Sequence, residues 1–147
     1  MEISEAQLLK LLWAIPRLKF ELLDGFWKQE SARLLNKSQE RTLIAVNMHH
    51  DKCMTELSKF TGVEKGSFTH IVDTLETMDY LIRKPDAADK RKTILELTAK
   101  GKAYVRELDA AIRQYFDAKF SVLSAAEREQ FFHACNTIIS LMGKILS

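Results

Sequence analysis

The segment from Leu81 to Thr98 constrains the fold of this chain more than any other stretch. Two short β-patterned runs flank a tip that is rich in turn-forming residues, and the tip ends in Asp89-Lys90-Arg91-Lys92. An isolated two-stranded hairpin is only marginally stable in water, so this one must pack on the long helical patterns at either side. Three consecutive cations at its tip suit a phosphate backbone better than a protein core.

Composition makes local charge segregation the important question. The chain has 147 residues, of which 46% are hydrophobic and 29% are charged, and this profile predicts one core-forming domain. The formal net charge is only +2, which is too small to indicate a nucleic-acid partner without a local cluster. The hairpin supplies such a cluster, in which the cations Arg83, Lys84, Lys90, Arg91 and Lys92 outnumber the anions Asp86 and Asp89.

Several classes of protein are disfavoured by what the sequence does not contain. Two distant cysteines do not form a disulfide framework. We find neither a signal-peptide pattern nor an apolar run near the ~20 residues that a membrane span requires, so we expect a cytoplasmic protein that does not bind membranes. No nucleophile motif, phosphate loop or apolar carboxylate pair is present, so we expect no enzyme and no cofactor.

The N-terminal half predicts a long helix followed by a second, shorter one. Leucines and other apolar residues recur at helical spacing over residues 5–34, and Pro16 is predicted to bend or break that helix. Asn36 and Gln39 have the spacing of a capping box, which predicts a helix from there to about His49.

The next two helices have the layout of a helix-turn-helix. A short helix is predicted over Met54–Thr61, with Leu57 and Phe60 facing inward, and Gly62 follows where a C-terminal glycine is expected. A further helix is predicted from Lys65 to about Met78. Its apolar stripe leaves an opposite face of small and polar side chains, which could approach a nucleic-acid groove closely.

Two long helices are predicted after the hairpin. Thr98 caps a helix over about Ala99–Phe120, and Ser124 and Glu127 form a capping box that starts the last helix. We therefore predict a mainly α fold with a small β-hairpin wing. Residues 35–101 form a winged helix-turn-helix, while residues 1–34 and 102–147 form a helical dimerisation region within one compact domain. Long amphipathic terminal helices leave apolar surface for a second subunit.

Residues 35–101 resemble the MarR-type (multiple antibiotic resistance) winged-helix transcription regulators. The resemblance covers the segments from Leu57 to Val63 and from Lys65 to Glu76. It continues through Tyr80-Leu81-Ile82-Arg83, Asp89-Lys90-Arg91 and the closing Leu95-Glu96-Leu97-Thr98-Ala99-Lys100-Gly101. The Asp-Lys-Arg tip and the Leu-Thr-x-x-Gly motif are informative mainly because they occur together at this spacing.

The resemblance implies a homodimer that binds double-stranded DNA at a palindromic operator. Many members of the family are repressors that small aromatic or phenolic ligands release, and others sense oxidants or zinc. The sequence departs from the family at three positions. His70 stands where arginine is common, Glu64 where a serine cap is common, and Asp79 where glycine is common.

The expected function is therefore that of a sequence-specific DNA-binding transcription regulator. The preferred hypothesis is a ligand-responsive repressor. Two alternatives remain open. A winged-helix module could bind proteins and have lost DNA binding, as Glu64 and His70 would allow. A thiol-based oxidant sensor could use Cys53, which is predicted to lie at or just before the start of a helix.

The DNA-binding candidates come from three places. Arg91 would enter a minor groove, with Lys90 and Lys92 on phosphates and Asp89 bracing the wing. The outer face of the second helix-turn-helix helix and the start of the first would supply the remaining contacts, from Lys65, Ser67, Thr69, His70, Thr74 and Thr55.

Metal and effector sites are not assigned. Adjacent His49 and His50 point about 100° apart on a helix, so they do not readily share an ion with Cys53, and we predict no metal site. The aromatic residues of the long helices are expected to be core and dimer packing, with Cys135 in the core, and the effector-binding residues stay unknown.

Overall fold

The structure is a computed structural model that describes residues 5–29 and 33–145. The chain divides into two compact units, Met1–Ala111 and Ile112–Ser147, which are described separately. The elements in chain order are α1 (Glu5–Lys19), a π-helical segment (Phe20–Asp24), α2 (Gly25–Gln29), α3 (Lys37–Met48), α4 (Met54–Thr61), α5 (Lys65–Thr77), β1 (Leu81–Pro85), β2 (Thr93–Leu97), α6 (Ala99–Phe120) and α7 (Ala125–Ile145).

The N-terminal helix is not broken at Pro16, which was predicted to bend or break it. Helix α1 runs through this proline to Lys19, and the regular α-helical pattern changes only at Phe20, where the π-helical segment begins. A proline removes one hydrogen-bond donor, and a helix with other turns on both sides can continue past that loss. The helix also ends earlier than predicted, because residues 33–36 are not helical; residues 30–32 lie outside the described range.

The boundaries of α3 and α4 follow their predicted capping signals. The Asn36 side chain accepts a hydrogen bond from the backbone N–H of Gln39 (3.0 Å), and the Gln39 side chain accepts one from the N–H of Asn36 (2.9 Å). Gly62 ends α4 with φ 67°, a left-handed conformation that glycine adopts without steric cost. Both predictions are confirmed.

One side chain of α4 faces away from the predicted direction. Leu57, Ser58 and Thr61 are buried, whereas Phe60 is 55% exposed, so the prediction that Phe60 faces inward is wrong. Phe60 lies about 100° around the helix from Thr61 and instead stacks on the ring of His49, with the centroids 4.2 Å apart.

A single core joins the helix-turn-helix to the hairpin. It consists of apolar side chains from α3, α4, α5, both strands and the first turns of α6. The buried members include Leu43, Val46, Leu57, Phe68, Val72, Leu75, Tyr80, Leu81, Leu95, Leu97 and Val105. The predicted stripe of α5 is confirmed, since Ile71 and Met78 pack against this core as well.

The hairpin is antiparallel and meets the start of α6 through one glycine. Leu81 pairs with Leu97 and Pro85 with Thr93. Thr98 donates its hydroxyl to the carbonyl of Asp79 (2.7 Å) and accepts from the N–H of Gly101 (3.0 Å), which confirms the predicted cap. A Cβ at Gly101 would lie 1.9 Å from the carbonyl oxygen of Tyr80, so only glycine fits here.

A fully buried carboxylate fastens three parts of the first unit together. Glu40 of α3 accepts hydrogen bonds from the Trp27 ring nitrogen of α2 (2.7 Å), from Arg33 (2.9 Å) and from the Tyr104 hydroxyl of α6 (2.7 Å). Burial and this carboxylate together raise the pKa of Tyr104. Buried charge is tolerated here because each carboxylate oxygen has a donor.

Apolar side chains remain uncovered on the terminal helices. Every described side chain from residue 6 to residue 20 is exposed, including Trp13 at 78%. In the second unit, α7 has no buried residue, and Ile139 and Ile145 are 68% and 78% exposed. Cys135 is half-buried in the single chain, short of the core position predicted for it.

The capping box that starts α7 is confirmed, because Ser124 and Glu127 exchange backbone-to-side-chain hydrogen bonds of 2.8 and 3.3 Å. Within the part of the chain that the structure describes, no helix is both long enough and apolar enough to cross a membrane.

Replacing the buried carboxylate tests its structural role. We expect Glu40→Ala to lower the free energy of unfolding by about 3–5 kcal/mol, because it leaves the Arg33 charge and two other donors without their acceptor. Denaturant unfolding monitored by circular dichroism measures this change. The exposed Asp117 of α6 is the control, since Asp117→Ala is expected to change stability by less than about 0.5 kcal/mol. Equal stability of the two variants would contradict the assignment.

Candidate nucleic-acid interface

The start of α4 is held by a carboxylate and a neighbouring strand. Glu56 accepts a hydrogen bond from the backbone N–H of Cys53 (2.9 Å), which lowers the pKa of that carboxyl. Cys53 also forms an antiparallel β-bridge with Ile94 of β2. These contacts fix the first turn of α4, and with it the exposed Thr55, next to the hairpin.

Helix α5 presents its polar face to solvent. Lys65, Ser67, Thr69 and His70 are exposed and Thr74 is half-buried. The hydroxyls of Thr69 and Thr74 donate to the carbonyls four residues earlier, each at 3.0 Å. Their oxygens therefore keep lone pairs with which to accept hydrogen bonds from a partner. The exposed face of α5 thus carries one cation and several short acceptor or donor groups.

The wing is joined to α5 by an arginine that the sequence places in the cationic cluster. The guanidinium of Arg83 pairs with both Asp73 and Glu76, and its backbone N–H donates to Glu76 (3.1 Å). Partial burial would lower the pKa of Arg83, but these hydrogen bonds outweigh that effect and the pKa is raised. Arg83 therefore orients the hairpin on α5 and offsets two carboxylates beside the polar face.

Of the five cations in the hairpin, three lie at the tip outside any such pair. Lys84 pairs with Glu96 across the strands (2.5 Å). Within residues 5–29 and 33–145, no salt bridge involves Lys90, Arg91 or Lys92, and all three side chains are exposed. Their charges remain available to an anionic partner.

The turn that carries these cations is ordered by two aspartates. Asp86 accepts from the N–H of Ala88 (2.8 Å), and Asp89 accepts from the N–H of Arg91 (3.1 Å). Backbone bonds between residues 86 and 92 and between residues 89 and 92 close the loop. Asp89 therefore binds the backbone N–H of Arg91, and this hydrogen bond does not involve the guanidinium of Arg91.

A cleft of about 200 Å³ brings the helix-turn-helix and the wing together. The cleft lies between the first turns of α4 and α5 and the tip of the hairpin. Its lining includes Thr55, Lys65, Thr69, Arg91 and Lys92, which are five of the residues predicted for DNA contact. Cations that are 26 residues apart in sequence thus face one space.

The other predicted DNA-binding residues do not line this cleft. Ser67, His70 and Thr74 lie on α5 outside the cleft lining, and Lys90 lies on the wing tip. Thr93, the first residue of β2, also lines the cleft and was missed by the sequence reasoning. Only its position directly after the basic tip could have suggested it. Among the described residues, no three His, Cys, Asp or Glu side chains are grouped to hold a metal ion.

Comparisons with known proteins agree with this geometry. A family model described as a winged helix DNA-binding domain matches residues 35–101. The chain is 30% identical over 114 residues to the HTH-type transcriptional repressor NicR of Pseudomonas putida, covering 78% of this chain and 72% of NicR.

Two solved structures share the fold. A MarR transcriptional regulator from Methanosarcina mazei Go1 superposes with a TM-score of 0.74 at 19% identity, over 92% of this chain and 97% of that one. The transcriptional repressor CouR, solved bound to a 23-mer DNA duplex, superposes with a TM-score of 0.67 at 22% identity, over 95% of this chain and 99% of that one. The chain belongs to the MarR-type family of winged-helix transcription regulators, as its sequence motifs and its similarity to NicR both indicate.

Proposed function

We propose that this chain represses transcription as a homodimer that binds a palindromic operator through α5 and the wing. The observation that carries the proposal is the shared cleft, because cations and hydroxyls from α4, α5 and the hairpin tip face it together. In winged-helix docking, α5 would enter a major groove and the wing would reach the adjacent minor groove. The phosphate strand between the two grooves would then run along this cleft.

Each candidate residue takes a role that suits its position. Lys65, Thr55 and Thr69 would contact phosphates of that strand, and Lys90 and Lys92 would contact phosphates beside the minor groove. Arg91 would insert into the groove, where narrow A·T tracts attract arginine. Asp89 would hold the tip in shape through the backbone of Arg91.

Base reading would fall to the exposed face of α5, through Ser67, His70 and Thr74. His70 stands where related proteins often have arginine, so this helix would read bases with shorter, less charged side chains. Glu64 lies at the N-cap of α5 without a capping side-chain bond and would disfavour a phosphate directly at that end.

The homodimer is supported by the uncovered apolar side chains of α1 and α7. Exposed surfaces of this kind mark interaction sites in proteins that are not aggregating. Two copies would present their α5 helices to successive major grooves about 34 Å apart. A regulator of this kind works where the DNA is, so we also propose a cytoplasmic location.

Repression is supported by the similarity to the transcriptional repressor NicR, and the interaction-module alternative is correspondingly less favoured. An oxidant sensor at Cys53 has no specific observation in its favour. A small aromatic effector stays a prediction of the family resemblance, and release of bound operator by a small aromatic acid would support it.

The wing cations make the first testable claim about DNA. We expect Arg91→Ala to weaken operator binding by about 1–3 kcal/mol per half-site, because the variant loses a groove contact without touching the core. Fluorescence anisotropy with a labelled operator measures the loss. Lys84→Ala is the matched control on the same hairpin, since Lys84 is already paired with Glu96. If both variants bind like the parent protein, Arg91 is not part of the interface.

A second prediction concerns the oligomeric state of the protein. We expect the full chain to be a dimer at micromolar concentration by light scattering. Ile139→Asp should shift it towards monomer, because it places a charge on the apolar surface of α7. Thr137→Asp is the control, since Thr137 is an exposed polar residue about 160° around α7 from Ile139. A monomeric full-length protein would refute the homodimer.

A further inference from the structure

Three glycines lie in the winged helix-turn-helix, and the fold accounts for two of them. Gly62 has φ 67°, which other residues rarely adopt, and a Cβ at Gly101 would collide with the carbonyl oxygen of Tyr80. The third, Gly66, has neither reason. Its φ is not positive, and a Cβ built there meets no atom within 4 Å apart from its chain neighbours and the adjacent backbone of α5 itself.

A glycine in a helix has a cost when nothing in the fold requires it. Glycine is among the least favourable residues in helices, because the unfolded chain gains backbone freedom. Alanine at residue 66 would fit the chain and would favour α5. The position therefore keeps free space above the helix backbone at the expense of helix stability.

The free space opens onto the exposed polar face. Gly66 precedes His70, Asp73 and Thr77 by four, seven and eleven residues, so these four positions form one stripe along α5. All four are exposed, and the core residues Phe68, Val72 and Leu75 lie on the other side. Gly66 is also next to Lys65, which lines the cleft shared with Arg91.

We propose that Gly66 is a positioning residue at which the backbone of α5 lies directly against the DNA in the major groove. This inference rests on the proposed DNA-binding function. A side chain at residue 66 would hold the first turn of α5 away from the base edges. The short side chains of Ser67 and His70 would then no longer reach the base edges, because they have little length to spare.

If this proposal is correct, the methyl group added by Gly66→Ala should affect the stability of the protein and its affinity for DNA in opposite directions. We expect Gly66→Ala to leave the Tm unchanged or raise it by up to about 4 °C. The same change should weaken binding about tenfold or more, which is the loss that one disrupted base contact produces. The probe is the duplex that the parent protein selects from a randomised DNA pool, with anisotropy for affinity and thermal unfolding for stability.

Salt dependence separates a steric effect from an electrostatic one. Gly66→Ala removes no charge, so the slope of log affinity against log salt should equal that of the parent protein. Lys65→Ala, one residue away, should instead reduce the slope by about one. Thr77→Ala is the control at the far end of the same stripe, about 16 Å along the helix, and should bind as the parent does.

The outcomes distinguish this inference from the function on which it rests. If the parent protein shows no salt-dependent binding to any duplex, the proposed function fails. If the parent binds and Gly66→Ala binds equally well, only the role of Gly66 is overturned. A loss of affinity accompanied by a lowered Tm would assign Gly66 to folding and would also overturn it.

Discussion

The packing of the hairpin on the helix-turn-helix is the constraint on which the DNA-binding geometry depends. A two-stranded hairpin does not hold a fixed position in water by itself. Here Leu81, Leu95 and Leu97 bury one side of it in the core, and Arg83 ties it to Asp73 and Glu76 of α5. Because the hairpin is fixed on α5, Arg91 and Lys92 at its tip can face the same cleft as Lys65 of α5.

Much of this fold could be predicted from local signals in the sequence. The bounds of α3, α4 and α6 and the positive φ of Gly62 follow from side chains that cap or end helices within a few residues. Such signals act locally, so a sequence read alone reveals them. The basic tip could likewise be recognised, because its turn residues and its cations are contiguous.

The remaining features depend on contacts between distant residues. Arg83 belongs to the cationic cluster that the sequence shows in the hairpin. Its ion pairs with Asp73 and Glu76, however, form only because the wing and α5 lie side by side. Glu40 accepts three hydrogen bonds, one of them from Tyr104, which is 64 residues away in sequence. Phe60 is exposed because α4 packs on the rest of the first unit through Leu57, Ser58 and Thr61. Each of these outcomes required the tertiary arrangement, which periodicity does not contain.

In this account Lys65 of α5 and the cations of the wing tip act together on one DNA backbone. The salt dependence of operator binding by the parent protein tests it most directly. If a dimer neutralises about six to ten phosphates, its affinity should fall by roughly 10³–10⁵ between 50 and 200 mM salt. Binding whose affinity is unchanged over that range, or no binding to any duplex at low salt, would contradict the account.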